Sequence, residues 1–240
     1  MQQNNKSHNS SKEAGNVFLF ILIGIVLFAA LSFVMSRGFR SEGTSKISER
    51  KAELVATEIL NYAQQAERAV DRVRRKGCSE SDINFATSKW GTSASQYTHS
   101  PAVDDICNIF DPQAGGLKWN DVPGDWIGNT TGTCCRAAGI WHFISTARII
   151  DVGTGNTELL ITLLPLKQEI CEAINKKLGY GTTIPTNAGN IDNHNDTNRF
   201  SGSQDYVQWD SINQQGRTSL CIQEAGGNNR YVFYSLLLAR

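Results

Sequence analysis

The longest apolar run of the chain covers residues 16–36 and contains no charged side chain. Only Asn16, Ser32 and Ser36 are polar among its twenty-one residues. At a helical rise of about 1.5 Å per residue, the run spans roughly 30 Å, the thickness of the hydrocarbon core of a bilayer. A buried core helix is the alternative, but a soluble core does not need an uninterrupted apolar cylinder of this length. The pattern predicts a transmembrane helix over residues 16–36.

Residues 1–15 are polar and rich in asparagine, serine and glutamine, which predicts a short disordered tail on the cytoplasmic face. The apolar run that follows is too long for the apolar part of a cleaved secretory signal. The sequence Arg-Gly-Phe-Arg at residues 37–40 also differs from a small-residue cleavage site. We therefore expect the apolar helix to be retained.

Residues 37–76 are predicted to form a linker followed by an amphipathic helix. Gly38 and Gly43 mark a segment in which the helix is expected to weaken. From Ser45 onward, apolar residues recur every three or four positions and form one helical stripe: Val55, Ile59, Tyr62, Ala66, Val70 and Val73. The stripe is too short for several coiled-coil heptads, so we expect this helix to cover one face of a folded domain.

Residues 77–240 are predicted to form an extracytoplasmic α+β domain. Strands are predicted over residues 140–151, 157–164, 206–209, 219–223 and 230–238. A helix is predicted to begin at Pro165 and to end at Gly179, with Leu166, Ile170, Ile174 and Leu178 on one face. The expected fold class is α+β, with a long N-terminal helix, transmembrane in its first half and amphipathic in its second, packed on an antiparallel β-sheet and stabilised by disulfides.

All six cysteines follow the apolar run: Cys78, Cys107, Cys134, Cys135, Cys171 and Cys221. An even number of cysteines in an exported region is typical of disulfides. Zinc is the competing interpretation, but no Cys-x-x-Cys pair occurs, and two adjacent cysteines are poorly spaced to ligate one tetrahedral site. The sequence therefore predicts disulfides, no metal site, and a domain in the periplasm or at the cell exterior.

Two pairing expectations follow. A bond between Cys171 on the predicted helix and Cys221 on a predicted strand would hold the helix to the sheet. Because adjacent cysteines rarely bond each other, we expect Cys134 and Cys135 to pair with Cys78 and Cys107, in an order that the sequence leaves open.

The charges are balanced, with 23 basic and 23 acidic residues, so no net field favours a nucleic acid partner. Two lysines precede the apolar run, whereas five basic residues follow it by residue 51. This bias would place the C-terminal domain in the cytoplasm, in conflict with the cysteines. Because large domains translocate largely regardless of flanking charge, we expect a single-pass inner-membrane protein with its C-terminal domain outside the cytoplasm.

No arrangement of catalytic residues is found, so the chain is predicted not to be an enzyme and to need no cofactor. His8, His99, His142 and His194 are scattered, and none belongs to a metal-binding or phosphate-binding motif. Residues 192–196 offer oxygen ligands for calcium but lack the glycine and bidentate glutamate of an EF-hand, which favours a solvated loop. Five tryptophans could line a sugar-binding surface, although scattered tryptophans more often belong to a core or its rim: Trp90, Trp119, Trp126, Trp141 and Trp209.

The order of these segments resembles the type IV pilin and type II secretion pseudopilin superfamily. The shared features are a polar leader ending in Gly15, an apolar helix that continues into an amphipathic one, and a disulfide-bearing domain with a C-terminal antiparallel sheet. The resemblance implies that a leader peptidase cuts between Gly15 and Asn16. It also implies that the apolar half-helix packs against other pilin-like subunits or copies of itself, and that residues 16–76 form one long helix.

The chain departs from this family at two positions. Family members usually have Phe or Met directly after the cleavage point and Glu at the fifth mature position, where this chain has Asn16 and Phe20. That glutamate compensates the free amino terminus of a neighbouring subunit. Some minor members at filament tips also lack it, which favours a minor or capping role.

Small residues on the apolar helix would let neighbouring helices approach closely. Four such small residues occur on this helix: Gly24, Ala29, Ala30 and Ser32. Phe20 occupies the position of the missing glutamate. The predicted function is a membrane-anchored, pilin-like structural or assembly subunit of a pilus-like filament or a secretion pseudopilus. The alternative is a monomeric, membrane-anchored extracytoplasmic binding module, such as a receptor or a virion surface protein, that acts through its polar loops.

Overall fold

The computed structural model describes residues 14–89, 105–128, 139–154, 156–187, 211–212, 214–224 and 230–240. Within these ranges, the side chains of residues 14–16, 34–47, 105, 146 and 211–212 are outside the description. The chain divides into two compact units, Met1–Arg50 and Lys51–Arg240. The second half of the long helix therefore belongs to the same unit as the sheet.

Two helices and six strands are present in the described residues, in this order: α1 (Ala14–Arg75), β1 (Trp141–Ile149), β2 (Glu158–Leu166), α2 (Gln168–Lys177), β3 (Thr186–Asn187), β4 (Ser211–Ile212), β5 (Ser219–Glu224) and β6 (Tyr231–Leu238). Short 3-10 turns lie at Glu80–Asp82, Asp105–Cys107 and Gly124–Trp126. The predicted strand over residues 206–209 lies outside the described residues.

Helix α1 continues through the segment in which the sequence predicts a weak point. Gly38 and Gly43 both lie within its helical backbone. A glycine inside a helix costs only about 1 kcal/mol relative to alanine, so two of them do not end a helix that continues on both sides. The last turn contains Arg72, Arg74 and Arg75, whose charges suit the negative end of the helix dipole, and Gly77 follows with φ of 96°.

The second half of α1 packs its apolar stripe into the core, as the sequence periodicity predicts. Ten side chains on this half are buried: Ala52, Val55, Ala56, Ile59, Tyr62, Ala63, Ala66, Ala69, Val70 and Val73. Full burial of a valine or isoleucine contributes about 1.5–3 kcal/mol. Lys51 and Glu53 add exposed ion pairs, to Asp125 at 2.5 Å and to Lys176 at 2.8 Å, and pairs of this kind contribute about 0–1 kcal/mol each.

The six strands form one mixed sheet in the order β3-β5-β6-β2-β1-β4. The inner pairs β5–β6, β6–β2 and β2–β1 are antiparallel, as expected. The two-residue strands β3 and β4 pair in parallel with β5 and β1, so the expectation of a purely antiparallel sheet is corrected to a mostly antiparallel one. The α+β fold class is confirmed.

Both faces of the sheet carry buried apolar side chains. Trp141, Phe143 and Ile161 belong to the cluster that also contains α1 and α2, so both helices cover the same face. The opposite face has a second buried cluster that includes Ile149 and Leu160. A β-bulge places one extra residue in β1 between Ile144 and Ala147. As a result, the odd-numbered residues before the bulge face the helices, and the odd-numbered residues after it face the opposite side of the sheet.

The sequence prediction of a helix beginning at Pro165 is wrong, because β2 extends to Leu166. The backbone of residues 126–128 pairs with this end of the strand: Gly128 N donates to Pro165 O at 2.9 Å, and Lys167 N donates to Trp126 O at 3.0 Å. These bonds stabilise an extended conformation at the position where proline alone suggests a helix start. Leu166 is therefore a strand residue of the core, and α2 begins two residues later, at Gln168.

Two disulfides join described residues. Cys171 on α2 bonds Cys221 on β5, with 5.3 Å between their Cα atoms, as predicted. Cys78 bonds Cys107, with 5.8 Å between their Cα atoms, so the expected pairing of these two with Cys134 and Cys135 is corrected. The backbone pairing of Asn84 with Asn108 places the two chain segments side by side and brings the cysteines together. Cys134 and Cys135 lie outside the described residues.

A buried asparagine strengthens the junction between α2 and β5. Asn175 lies one helical turn after Cys171, and its amide makes two hydrogen bonds to the backbone of Cys221. Its Nδ2 donates to Cys221 O, and its Oδ1 accepts from Cys221 N, both at 2.8 Å. The side chain therefore satisfies both buried backbone polar groups of one strand residue.

We expect Asn175→Ala to lower the free energy of unfolding by about 2–4 kcal/mol, because it leaves a buried N–H and a buried C=O without their partner. Urea unfolding of the full chain with its disulfides intact measures this loss. Lys177→Ala, at an exposed position of the same helix, is the control and should change the value little. A loss for Asn175→Ala no larger than that of the control would contradict the role of the two hydrogen bonds.

Candidate assembly surface

The first half of α1 exposes a continuous apolar surface over residues 17–33, which we call the apolar helix surface. Its large apolar side chains are between 46% exposed, at Ile23, and 76% exposed, at Phe28. Ser32 is the only polar residue among them. Exposed apolar patches of this extent are typical of surfaces that contact a membrane or another protein.

The apolar helix surface contains five of the residues singled out from the sequence, among them Ser32. Phe20 is 66% exposed, Ala29 and Ala30 are exposed, and a side chain at Gly24 would meet no atom within 4 Å. Phe20 and Gly24 lie one turn apart on one side of the helix. At about 100° per residue, Ala29 and Ala30 lie roughly 120–140° from Gly24 on either side of it. Small side chains thus occur on several sides, so close contact is possible with more than one neighbouring helix.

The predicted processing site lies at the start of α1. The helical backbone includes both Gly15 and Asn16, while their side chains are outside the described part of the chain. Across the described residues, no helix has both the length and the apolar character needed to cross a membrane.

The folded unit places several of the residues considered for chemistry in its core. His142 is buried in β1, and Trp126 and Trp141 are buried as well, while Trp119 is half-buried. No group of three or more histidine, cysteine, aspartate or glutamate side chains in the described ranges is placed to hold a metal ion. The remaining candidates lie outside the described residues: His8, His99, His194, Trp90, Trp209 and residues 192–196.

The main buried charges lie near the ends of the sheet and have structural contacts. Glu224 and Arg230 form a buried ion pair at 2.8 Å where β5 ends and β6 approaches. Glu158 on β2 is buried, and its Oε2 accepts a hydrogen bond from Ile149 N at 2.7 Å. Burial raises the pKa of the Glu158 carboxyl, and the Ile149 bond and nearby arginines offset only part of this effect.

Arg240 occupies the same region of the domain. Its Nε lies 3.1 Å from Glu80 Oε2, and the backbone of Arg240 accepts a hydrogen bond from Thr154 N. Burial lowers the pKa of the Arg240 guanidinium, while the charges of Glu80 and Glu158 oppose that shift. These contacts link residue 240 to the turn after β1 and to the 3-10 turn after α1.

No known protein family, characterised protein or solved structure matches this chain. The roles that the pilin resemblance implies for Gly15, Asn16 and Phe20 therefore stay predictions. The apolar helix surface and the disulfide-bonded unit are the structural features from which a function can be argued.

We expect Glu158→Gln to stabilise the protein at neutral pH. A raised pKa in the folded state means that folding favours the protonated, neutral carboxyl; this contribution is fully present below the ordinary glutamate value of 4.5 and is lost as pH rises through the folded-state pKa. Glutamine keeps an acceptor for Ile149 N and stays neutral. Thermal unfolding should give a higher Tm for the variant at pH 7, with the difference shrinking below about pH 4.5. A lower Tm at pH 7 would show that the charge interaction with Arg240 outweighs burial.

Proposed function

We propose that the protein is a membrane-anchored, pilin-like structural or assembly subunit of a pilus-like filament or a secretion pseudopilus. The apolar helix surface carries this proposal. It belongs to the same helix, α1, whose second half is buried in a disulfide-bonded α+β unit. Such a chain has one part suited to an apolar environment and one part suited to water.

The proposed anchor is residues 16–36, which contain no charged side chain. A helix of this length is long enough for the hydrocarbon core of a bilayer. The two disulfides support a folded unit outside the cytoplasm, because disulfides persist in oxidising compartments. We place the anchor in the inner membrane and the unit Lys51–Arg240 in the periplasm or at the cell exterior.

The proposed partners are pilin-like subunits that contact the apolar helix surface. Lipid tails are as apolar as leucine or phenylalanine, so specificity in the membrane must come from close packing rather than from burial alone. Gly24, Ala29 and Ala30 permit such packing on several sides of the helix. Phe20 cannot neutralise the amino terminus of a neighbour, and an unmatched charge in this environment is costly. This cost is avoided if the protein occupies a minor or capping position in the filament, next to subunits that have the glutamate.

We expect a leader peptidase to cut after Gly15 and to leave a mature chain that begins at Asn16. Mass spectrometry of the protein purified from membranes identifies its first residue. Gly15→Leu should block the cut, because a large side chain replaces the glycine at the cleavage point. A wild-type protein that keeps Met1 would contradict the proposal and favour the monomeric membrane-anchored binding module.

We expect Phe20→Glu to raise incorporation into a filament or co-purification with pilin-like partners by several-fold. The carboxylate would pair with the positively charged amino terminus of a neighbouring subunit. In an apolar environment an ion pair is far more favourable than a lone charge. Crosslinking followed by purification through a tagged partner measures the yield.

Phe18→Glu is the matched control, because it introduces the same acid two residues earlier in the same exposed run. It should not increase the yield, and Gly24→Leu should reduce it by preventing close approach. Equal yields for wild type, Phe20→Glu and Gly24→Leu would contradict a role for this helix in assembly.

A further inference from the structure

An open groove of about 500 Å³ lies in the folded unit, between the polar side of α1 and the loop at residues 118–120. This volume falls within the range typical of small-molecule sites, about 300–1,000 Å³. The residues used below come from three parts of the groove: Glu58, Asn61 and Gln65 on the helix, Tyr62 at its base, and Lys118 and Trp119 on the loop.

Trp119 forms a fixed aromatic wall of the groove. Its indole Nε1 donates a hydrogen bond to Asp121 Oδ1 at 2.9 Å. The ring of Phe110 lies 5.7 Å away, centroid to centroid, and Phe110 in turn packs against Phe143 of the core. Contacts on two sides hold the indole in place, so a ligand can stack on it without ordering a mobile side chain.

Tyr62 closes the base of the groove. The residue is only 3% exposed, and its ring packs 4.5 Å from that of Trp141. Its buried hydroxyl has no acceptor among the described residues. Burial raises the pKa of the Tyr62 phenol, so the hydroxyl keeps its proton. The hydroxyl itself is enclosed, so Tyr62 contributes to the base of the groove without bonding to the ligand.

The helix wall supplies polar side chains on successive turns. Glu58, Asn61 and Gln65 are all exposed and all line the groove. The two amides can donate and accept hydrogen bonds, and the carboxylate can accept them. The groove therefore combines an aromatic wall with a row of donors and acceptors on the opposite side.

The charges in the groove favour a neutral ligand. Glu58 and Lys118 have opposite signs and cancel, and among the described residues no second cation lines the groove to bind a phosphate or sulfate group. We propose that this groove binds a neutral saccharide. The apolar C–H face of a sugar ring stacks on Trp119, and its hydroxyls exchange hydrogen bonds with Asn61 and Gln65.

Binding is tested with the full chain, solubilised in dodecylphosphocholine because that detergent has no sugar headgroup to compete. An array of neutral, sialylated and sulfated oligosaccharides identifies the ligand class, and calorimetric titration with the best neutral glycan gives its Kd. We expect neutral glycans to bind. An array without any bound glycan, or with only sialylated or sulfated glycans bound, would overturn the proposal.

Two helix variants locate the site. Gln65→Ala and Asn61→Ala should each raise the Kd about tenfold, the effect of losing one well-placed hydrogen bond. Gln64→Ala is the matched control, because Gln64 is an exposed neighbour of the same type that does not line the groove, and its Kd should stay within about twofold of wild type. Alanine favours helix, so these variants should fold. Equal effects of Gln64→Ala and Gln65→Ala would place the ligand elsewhere and refute the site.

Discussion

The buried apolar stripe of α1 is the feature on which the folded unit depends, because it shares one core with the sheet. Four alanines lie within the buried stripe of the helix and are at most 2% exposed: Ala56, Ala63, Ala66 and Ala69. These alanines and the larger Ile59 and Val70 lie in the same buried cluster as Trp141 and Phe143 of β1. Because close-packed cores tolerate added volume poorly, a larger side chain at one of these alanines would destabilise the unit.

Other parts of the unit are attached to this layer by a few specific bonds. The Cys78–Cys107 disulfide holds the loop that contains Phe110 next to the end of α1, and Lys76 donates a hydrogen bond to Gln113 O. The Cys171–Cys221 disulfide and Asn175 join α2 to β5. The disulfide between residues 171 and 221 closes a loop of about fifty residues, which contributes roughly 4 kcal/mol on a chain-entropy estimate. These bonds therefore hold segments that are distant in the sequence to one core.

The sequence predicts the elements that have strong periodicity, and it fails where distant backbone contacts decide. Helix α1 and strands β1, β2, β5 and β6 follow from apolar spacing and β-branched composition. Pro165 misleads because backbone pairing with residues 126–128 extends β2, and no local pattern encodes that pairing. The two-residue parallel strands are too short to leave a pattern.

The candidate sites show the same division. Residues 17–33 could be singled out because an uncharged run is a local feature. The groove between α1 and residues 118–120 could not, because Asn61 and Trp119 are 58 positions apart in the sequence (119 minus 61) and meet only through the fold. The role of Asn175 was also missed, since an asparagine inside a helix normally predicts only reduced helix propensity. Its contribution to stability comes from hydrogen bonds to Cys221, which lies 46 residues further along the chain.

Under the proposed membrane anchoring, the two halves of α1 follow different physical rules, and their residues differ accordingly. In water, burying apolar area drives packing, so the second half needs one apolar stripe and can use its other sides for charge. In lipid, burial gives no such preference, and a helix that is apolar on all sides is stable without any protein contact. A partner can then be selected only by shape and by local charge. For this reason the small residues of the first half and the absence of an acid at Phe20 carry more information about its neighbours than its leucines and isoleucines do.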